Sequence, residues 1–217
     1  MVSKTDIQKV IGVLAREYPN ATTELKYRNP FELLVATVLS AQSTDIKVNL
    51  VTPNLFKRYP NVKRFAAAKQ TEIEKEIRSI GLSKQKARNL TSLAQQLITK
   101  HQGNIPTNIT QLTKLSGVGR KTANVVLAHA LGLPGFPVDR HVIRVSTRLG
   151  IAQGRNAIEI ERQLCAYIPQ KDWRLSSDVQ ILHGRRVCKQ KPLCQKCVLQ
   201  KKCNYFKIQV LGQLKTS

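Results

Sequence analysis

Four cysteines, Cys188, Cys194, Cys197 and Cys203, crowd into the pattern C-x5-C-x2-C-x5-C near the C-terminal end of the sequence. Thiolates are soft, charged ligands, and four of them this close bind metal far more readily than they sit idle. Zinc favours two short Cys/His pairs joined by a longer loop. A single C-x2-C with wide flanks suits a cubane iron–sulfur cluster at least as well, so the spacing leaves both open. Cys165 stands apart, among Ile158, Ile160, Leu164 and Ile168 at helical spacing, and reads as a small buried hydrophobe.

The second chemical signal is Leu115-Ser116-Gly117-Val118-Gly119-Arg120-Lys121-Thr122-Ala123. Two glycines one residue apart between two helices make a turn too tight for side chains and let a phosphate or another backbone approach closely. The next helix begins there, so its first N–H groups and positive dipole end meet any anion. The plain alternative is an αα-hairpin loop. Lys121 sits in the first turn of that helix, where a cation opposes the dipole. It is a candidate amine nucleophile, and a phosphate-binding lysine would tolerate the same place. Asp139, in Pro137-Val138-Asp139-Arg140-His141-Val142, precedes a helix with Val142, Ile143, Val145 and Leu149 on its apolar face. It reads as an N-cap worth about 1 kcal/mol. A capping carboxylate that lined a cleft would also stabilise an oxocarbenium-like sugar during base loss, so cap and catalyst can be one residue.

Helices must position these groups. Apolar residues recur at helical spacing over 5–17, with Thr5 as cap, and Asn29-Pro30 opens a helix through Gln42. Further helical patterns cover roughly 44–59, 69–79, 84–100, 109–115, 120–131, 140–149, 157–168 and 174–187. No period-two strand stands out, and the fold class is all-α with short turns marked by glycine and proline.

The balance of charge says what such a scaffold meets. Lys and Arg outnumber Asp and Glu by 36 to 13, a formal net charge of +23 on 217 residues. Solubility asks for a net charge of only about 2–8 in a small domain, whereas a polyanion such as nucleic acid makes use of the excess through counterion release. The 41% hydrophobic content is ample for a core. No stretch approaches the roughly 20 apolar residues of a spanning helix, and the N-terminus has no secretory pattern. The expectation is an intracellular protein with reduced thiols and no membrane, cytoplasmic and nucleoid-associated in a bacterium. Aromatic content of 5% argues against binding mainly by stacked bases.

Together these residues resemble the endonuclease III family of helix-hairpin-helix DNA glycosylases, over essentially the whole chain. The likeness includes Pro30-Phe31-Glu32-Leu33-Leu34, Leu39-Ser40-Ala41-Gln42, Ile80-Gly81-Leu82, the hairpin with Lys121, Val138-Asp139 and the cysteine loop. The family's hairpin reads LPGVGRKTANVV, and LSGVGRKTANVV here differs only at Ser116. The resemblance implies a six-helix barrel domain with the helix-hairpin-helix over 22–133. Beside it, 1–21 and 134–217 would form a helical domain carrying a [4Fe-4S] cluster on Cys188, Cys194, Cys197 and Cys203. It also implies a bifunctional glycosylase and abasic-site lyase of base-excision repair, acting as a monomer on damaged double-stranded DNA, with oxidised pyrimidines as substrates. Lys121 matches the catalytic amine and Asp139 the catalytic carboxylate. Gln42 matches the residue that fills the gap left by an extruded nucleotide, and Leu82 the wedge beside it. Gly117, Val118, Gly119 and Arg120 would grip phosphate, as would Lys191 in the cysteine loop.

Two departures stand out. Five residues, 189–193, separate the first two cysteines where the family has six, which bears on Lys191, and Arg140 stands between Asp139 and His141 where a smaller residue is usual. Two other readings are an adenine glycosylase relative, which lacks the lysine and usually carries a further C-terminal domain, and a non-catalytic helix-hairpin-helix DNA-binding module.

Overall fold

The structure is a computed structural model that describes residues 4–210, with side chains through 208. Eleven α-helices run through the described residues: α1 (Lys4–Glu17), α2 (Pro30–Ser40), α3 (Asp45–Arg58), α4 (Val62–Ala66), α5 (Gln70–Glu76), α6 (Ser83–His101), α7 (Ile109–Leu112), α8 (Arg120–Val125), α9 (Arg140–Leu149), α10 (Ala157–Tyr167) and α11 (Trp173–Arg186). No strand occurs among them, in agreement with the all-α expectation. None of these helices is long and apolar enough to cross a membrane. The chain divides into two compact units: Glu24–Gly135, and Met1–Thr23 together with Phe136–Ser217.

In the Glu24–Gly135 unit the central element is α2. Asn29 caps it by accepting the N–H of Glu32 at 3.0 Å, and Pro30 occupies the first turn, where its missing N–H costs nothing. Every residue from Phe31 to Leu39 is buried, so α2 is covered all round and sits inside the unit. Glu32 is tolerated there because the Arg28 guanidinium grips it, at 2.6 and 2.9 Å. The helix ends at Ser40, two residues earlier than its sequence pattern suggests. Thr37 and Ser40 turn their hydroxyls back onto the carbonyls of Leu33 and Thr37, a local alternative to the helical ladder.

Two other local features differ from expectation. The short α4 is too brief for any period to reveal; Asn61 caps it, and Phe65 packs edge-on against Phe31 with centroids 5.5 Å apart. The helix expected over 120–131 is α-helical only to Val125 and continues as a π-helical turn, Val126–Ala130. Beyond it the backbone passes so close that a Cβ on Gly135 would lie 2.5 Å from the carbonyl oxygen of Asn124.

The other unit packs α1, through Ile7, Val10, Ile11 and Leu14, with α9, α10 and α11 around Val142, Val145, Leu149, Val179 and Leu182. α9 and α11 approach closely where Gly184 lies under His141; a Cβ on Gly184 would sit 2.8 Å from that of His141. Ser146 donates to Gln180 across the same contact at 2.7 Å.

Candidate functional site

The glycine hairpin is built as its sequence requires. Gly117 has φ +77, and a Cβ there would meet the Asn89 side chain at 3.0 Å, so only glycine fits without displacement. Gly119, with open space around it, is the N-cap of α8, and Arg120 and Lys121 occupy the first turn, both exposed. The turn is braced from α6: Gln96 accepts the N–H of Ser116 at 2.8 Å, and the hydroxyls of Ser92 and Ser116 meet at 2.8 Å. Val118 differs from its neighbours. Its side chain is buried in the core and its N–H donates to the Leu115 carbonyl at 3.1 Å. It shapes the hairpin, while Gly117, Gly119, Arg120 and Lys121 form the exposed surface.

Gln42 and Leu82 share an unusual backbone. Both have left-handed φ values, 54 and 62, without being glycine. Gln42 follows the C-terminal end of α2, and Leu82, 58% exposed, is the N-cap of α6. Bulky side chains in this region persist only where the surrounding structure holds them, and such positions gather at functional sites. α6 therefore links the Leu82 turn to the residues that brace the hairpin, a role the sequence pattern did not reveal.

Asp139 caps α9. One carboxylate oxygen accepts the N–H groups of His141 at 2.7 Å and Val142 at 3.1 Å. Just before it, the Pro137 carbonyl accepts the Ser177 hydroxyl at 2.5 Å and Val138 is buried, which fixes the approach to the cap. Lys121 belongs to the Glu24–Gly135 unit and Asp139 to the unit made from the two ends of the chain.

The four cysteines of the C-terminal pattern all line one pocket, with His183, Leu149, Val187, Pro192, Tyr205 and Phe206. All are free thiols. Burial pushes the Cys197 thiol up to about 11, and burial followed by the nearby cysteines raises Cys194. Burial also raises Cys203. Such thiols keep their protons unless cationic charge among them favours the thiolate. Among the described residues no three His, Cys, Asp or Glu side chains are gathered to hold one ion in common. A cubane cluster does not ask that of them, since each of its four irons takes one thiolate. The donor set fits the cluster: four sulfurs, an apolar wall, and a neutral neighbour, His183, which burial lowers to about 4 and whose Nε2 lies 3.6 Å from the Cys197 sulfur.

Two arginines from α9 clamp this loop. Arg144 donates to the carbonyls of Cys188 and Gly184, both at 2.8 Å. Arg148 reaches the carbonyls of Lys189 at 2.5 Å and Gln190 at 2.9 Å, and stacks over Tyr205. The five-residue interval is thus anchored through Gln190, and the exposed Lys191 follows directly. Sequence reading missed both clamps; two arginines four residues apart on one helix look like ordinary solvated charges.

The model of the HhH-GPD superfamily base excision DNA repair protein matches residues 35–170. The chain is 47% identical over 197 residues to Endonuclease III of Synechocystis sp., covering 90% of each. A solved non-covalent Endonuclease III–DNA complex is similar with a TM-score of 0.91 at 43% identity, over 99% of this chain and 100% of that one. A trapped Endonuclease III–DNA covalent intermediate is similar at the same TM-score, with 44% identity over 95% and 98%.

Proposed function

The chain belongs to the HhH-GPD superfamily of base excision DNA repair proteins and, within it, to the endonuclease III family, and from that premise we propose that Lys121 and Asp139 carry its reaction. It is a DNA glycosylase with abasic-site lyase activity, binding damaged duplex DNA as a single chain. The observation that carries the assignment of the amine is the exposed Lys121 in the first turn behind Gly119, in a family with a trapped covalent DNA intermediate among its solved structures.

Duplex DNA is first held electrostatically by the +23 charge, with Gly117, Gly119 and Arg120 gripping a phosphate at the hairpin. The damaged nucleotide, an oxidised pyrimidine, is extruded because its C1′ is unreachable in the stack. Gln42 fills the gap and Leu82 wedges beside it, while Lys191 supports the strand. The Lys121 amine then attacks C1′, the C1′–N bond breaks, and the base leaves with the bonding pair and a proton. The Asp139 carboxylate stabilises the positive charge that develops on the sugar. A second proton passes from nitrogen to the ring oxygen as the C1′–O4′ bond breaks, which opens the sugar and gives an imine. Removal of a C2′ proton then expels the 3′ phosphate by β-elimination; a water nucleophile would stop at base removal.

Cys188, Cys194, Cys197 and Cys203 hold a [4Fe-4S] cluster in this reading. When bound, the cluster cross-links the C-terminal loop and supplies a one-electron couple. Acting on chromosomal DNA, the protein works in the compartment that contains it.

Borohydride tests the assignment. Added during turnover, it reduces the imine and leaves wild-type protein covalently joined to abasic or damaged duplex. Lys121→Gln loses the adduct and retains duplex binding, since the hairpin backbone is unchanged. Absence of a wild-type adduct would make Lys121 a phosphate contact in a binding module. A Lys121→Gln adduct of wild-type yield would move the chemistry to another amine.

A further inference from the structure

Lys86 is the buried cation that the proposed reaction does not use. It lies on the apolar stripe of α6 with Leu90, Leu93 and Leu97, and is only 4% exposed. Burial depresses the pKa of its ammonium, and no carboxylate stands within ion-pair distance among the described residues. A leucine or methionine would suit the stripe better, since burying an ammonium without a counter-charge opposes folding. The lysine spends its charge on one contact: Nζ donates to the carbonyl oxygen of Leu39 at 2.9 Å.

That contact is well chosen. At the end of α2 the N–H of Ala41 turns back to Val38 and that of Ser43 to Ser40. A cation at the C-terminal end of a helix is also favoured by the dipole. Leu39 stands three residues before Gln42, with its left-handed φ of 54. At the other end of Lys86, its backbone N–H donates to the Leu82 carbonyl at 2.9 Å, the first helical bond behind the second left-handed turn. One residue thus ties both unusual turns, by its main chain to Leu82 and by its side chain to the segment that ends in Gln42.

We propose that Lys86 is a positioning residue that sets Gln42 and Leu82 in register, so that gap filling and wedging occur together. The inference rests on the reading of those two residues as the ones that enter the DNA stack. Lys86 touches no DNA itself and acts through the Leu39 carbonyl. The chemistry asks for this arrangement because two side chains that insert at one lesion must arrive at a fixed separation.

The test is a double-mutant cycle read by fluorescence. A duplex carries an abasic site opposite 2-aminopurine, whose emission rises when the orphaned base loses its stacking. Gln42→Ala reduces the enhancement several-fold. Lys86→Met reduces it to a similar degree, and the double variant shows no further loss, because both changes remove the same insertion. Duplex affinity at each salt concentration and the melting temperature of Lys86→Met stay near wild type. If Gln42→Ala leaves the enhancement unchanged, the reading of Gln42 fails and the coupling with it. A reduced signal in Gln42→Ala with a wild-type signal in Lys86→Met overturns the coupling alone. Multiplying losses in the double variant overturn it too, as does a Lys86→Met loss matched by an equal fall in duplex affinity and stability. Should Lys86→Met not fold, Lys86→Leu, which likewise has no donor, is held to the same criteria.

Discussion

Asp139 is both the cap of α9 and the proposed catalytic carboxylate, and three substitutions separate the two roles. The cap consists of two N–H bonds to one oxygen, at 2.7 and 3.1 Å. Asn at an N-cap accepts the same bonds as Asp, whereas Ala accepts none and costs typically about 1 kcal/mol. For a chain of this size 1 kcal/mol moves the melting temperature by roughly 2–4 °C. Asp139→Ala is therefore expected to melt about 2–4 °C lower, and Asp139→Asn and Asp139→Ser within about a degree of wild type. All three lose the negative charge, and removal of one preorganised electrostatic group typically slows a reaction by about 10²–10³-fold. Single-turnover base release should fall by that order in all three. Cleavage of a preformed abasic site should fall much less, because no glycosidic bond has to break. Calorimetry and single-turnover assays on the same preparations provide the two readouts. An Asp139→Asn variant that destabilises as much as Asp139→Ala would refute the capping argument. Base release near the wild-type rate in Asp139→Asn would refute the electrostatic one.

Gly117→Ala forces a Cβ to 3.0 Å from Asn89 at a φ of +77. It is expected to lower stability by about 1–2 kcal/mol from the left-handed backbone alone, with a matching loss of duplex affinity; unfolding titrations and salt-dependent binding check this. The affinity of wild type for undamaged duplex should fall with salt at about −0.9 per phosphate neutralised in the log–log plot, and Leu82→Ala should leave that slope unchanged while weakening capture of an abasic site. Purified protein should contain about four irons and four sulfides per chain with visible absorption, whereas a single zinc would rule out the cluster. Arg148→Met releases the carbonyls of Lys189 and Gln190 and should hasten loss of iron to a chelator without changing the borohydride adduct formed by freshly loaded protein.

What the sequence disclosed follows from the range of the forces involved. Asn29-Pro30, the Gly117/Gly119 pair and the Asp139 cap are local signals, each readable because capping and turn chemistry act within three or four residues. The four cysteines were legible because sulfur is costly to cluster without a metal. The bracing of the hairpin by Asn89, Ser92 and Gln96 was not legible, since it depends on α6 meeting Gly117 and Ser116 twenty or more residues away. Lys86 left one trace, a charge on the same stripe as Leu90, Leu93 and Leu97, which periodicity alone reads as solvated. The early end of α2 escaped notice because side-chain back-bonding by Thr37 and Ser40 leaves hydropathy unchanged. The α4 helix escaped it because five residues cannot show a period.

The unit made from both ends of the chain has a consequence for synthesis on the ribosome. α1 emerges first, with Ile7, Val10, Ile11 and Leu14 destined for a core whose other walls are α9, α10 and α11. Translation at about 5–20 residues per second delays the last of those walls by roughly ten to thirty seconds. All of the Glu24–Gly135 unit is made during that interval. The apolar stripe of α1 therefore waits through synthesis of the Glu24–Gly135 unit before any of these partners is made, an opening for chaperones or for aggregation. The cysteine loop follows α11, so its four thiols are delivered together, after every helix that Arg144 and Arg148 use to hold them has been synthesised.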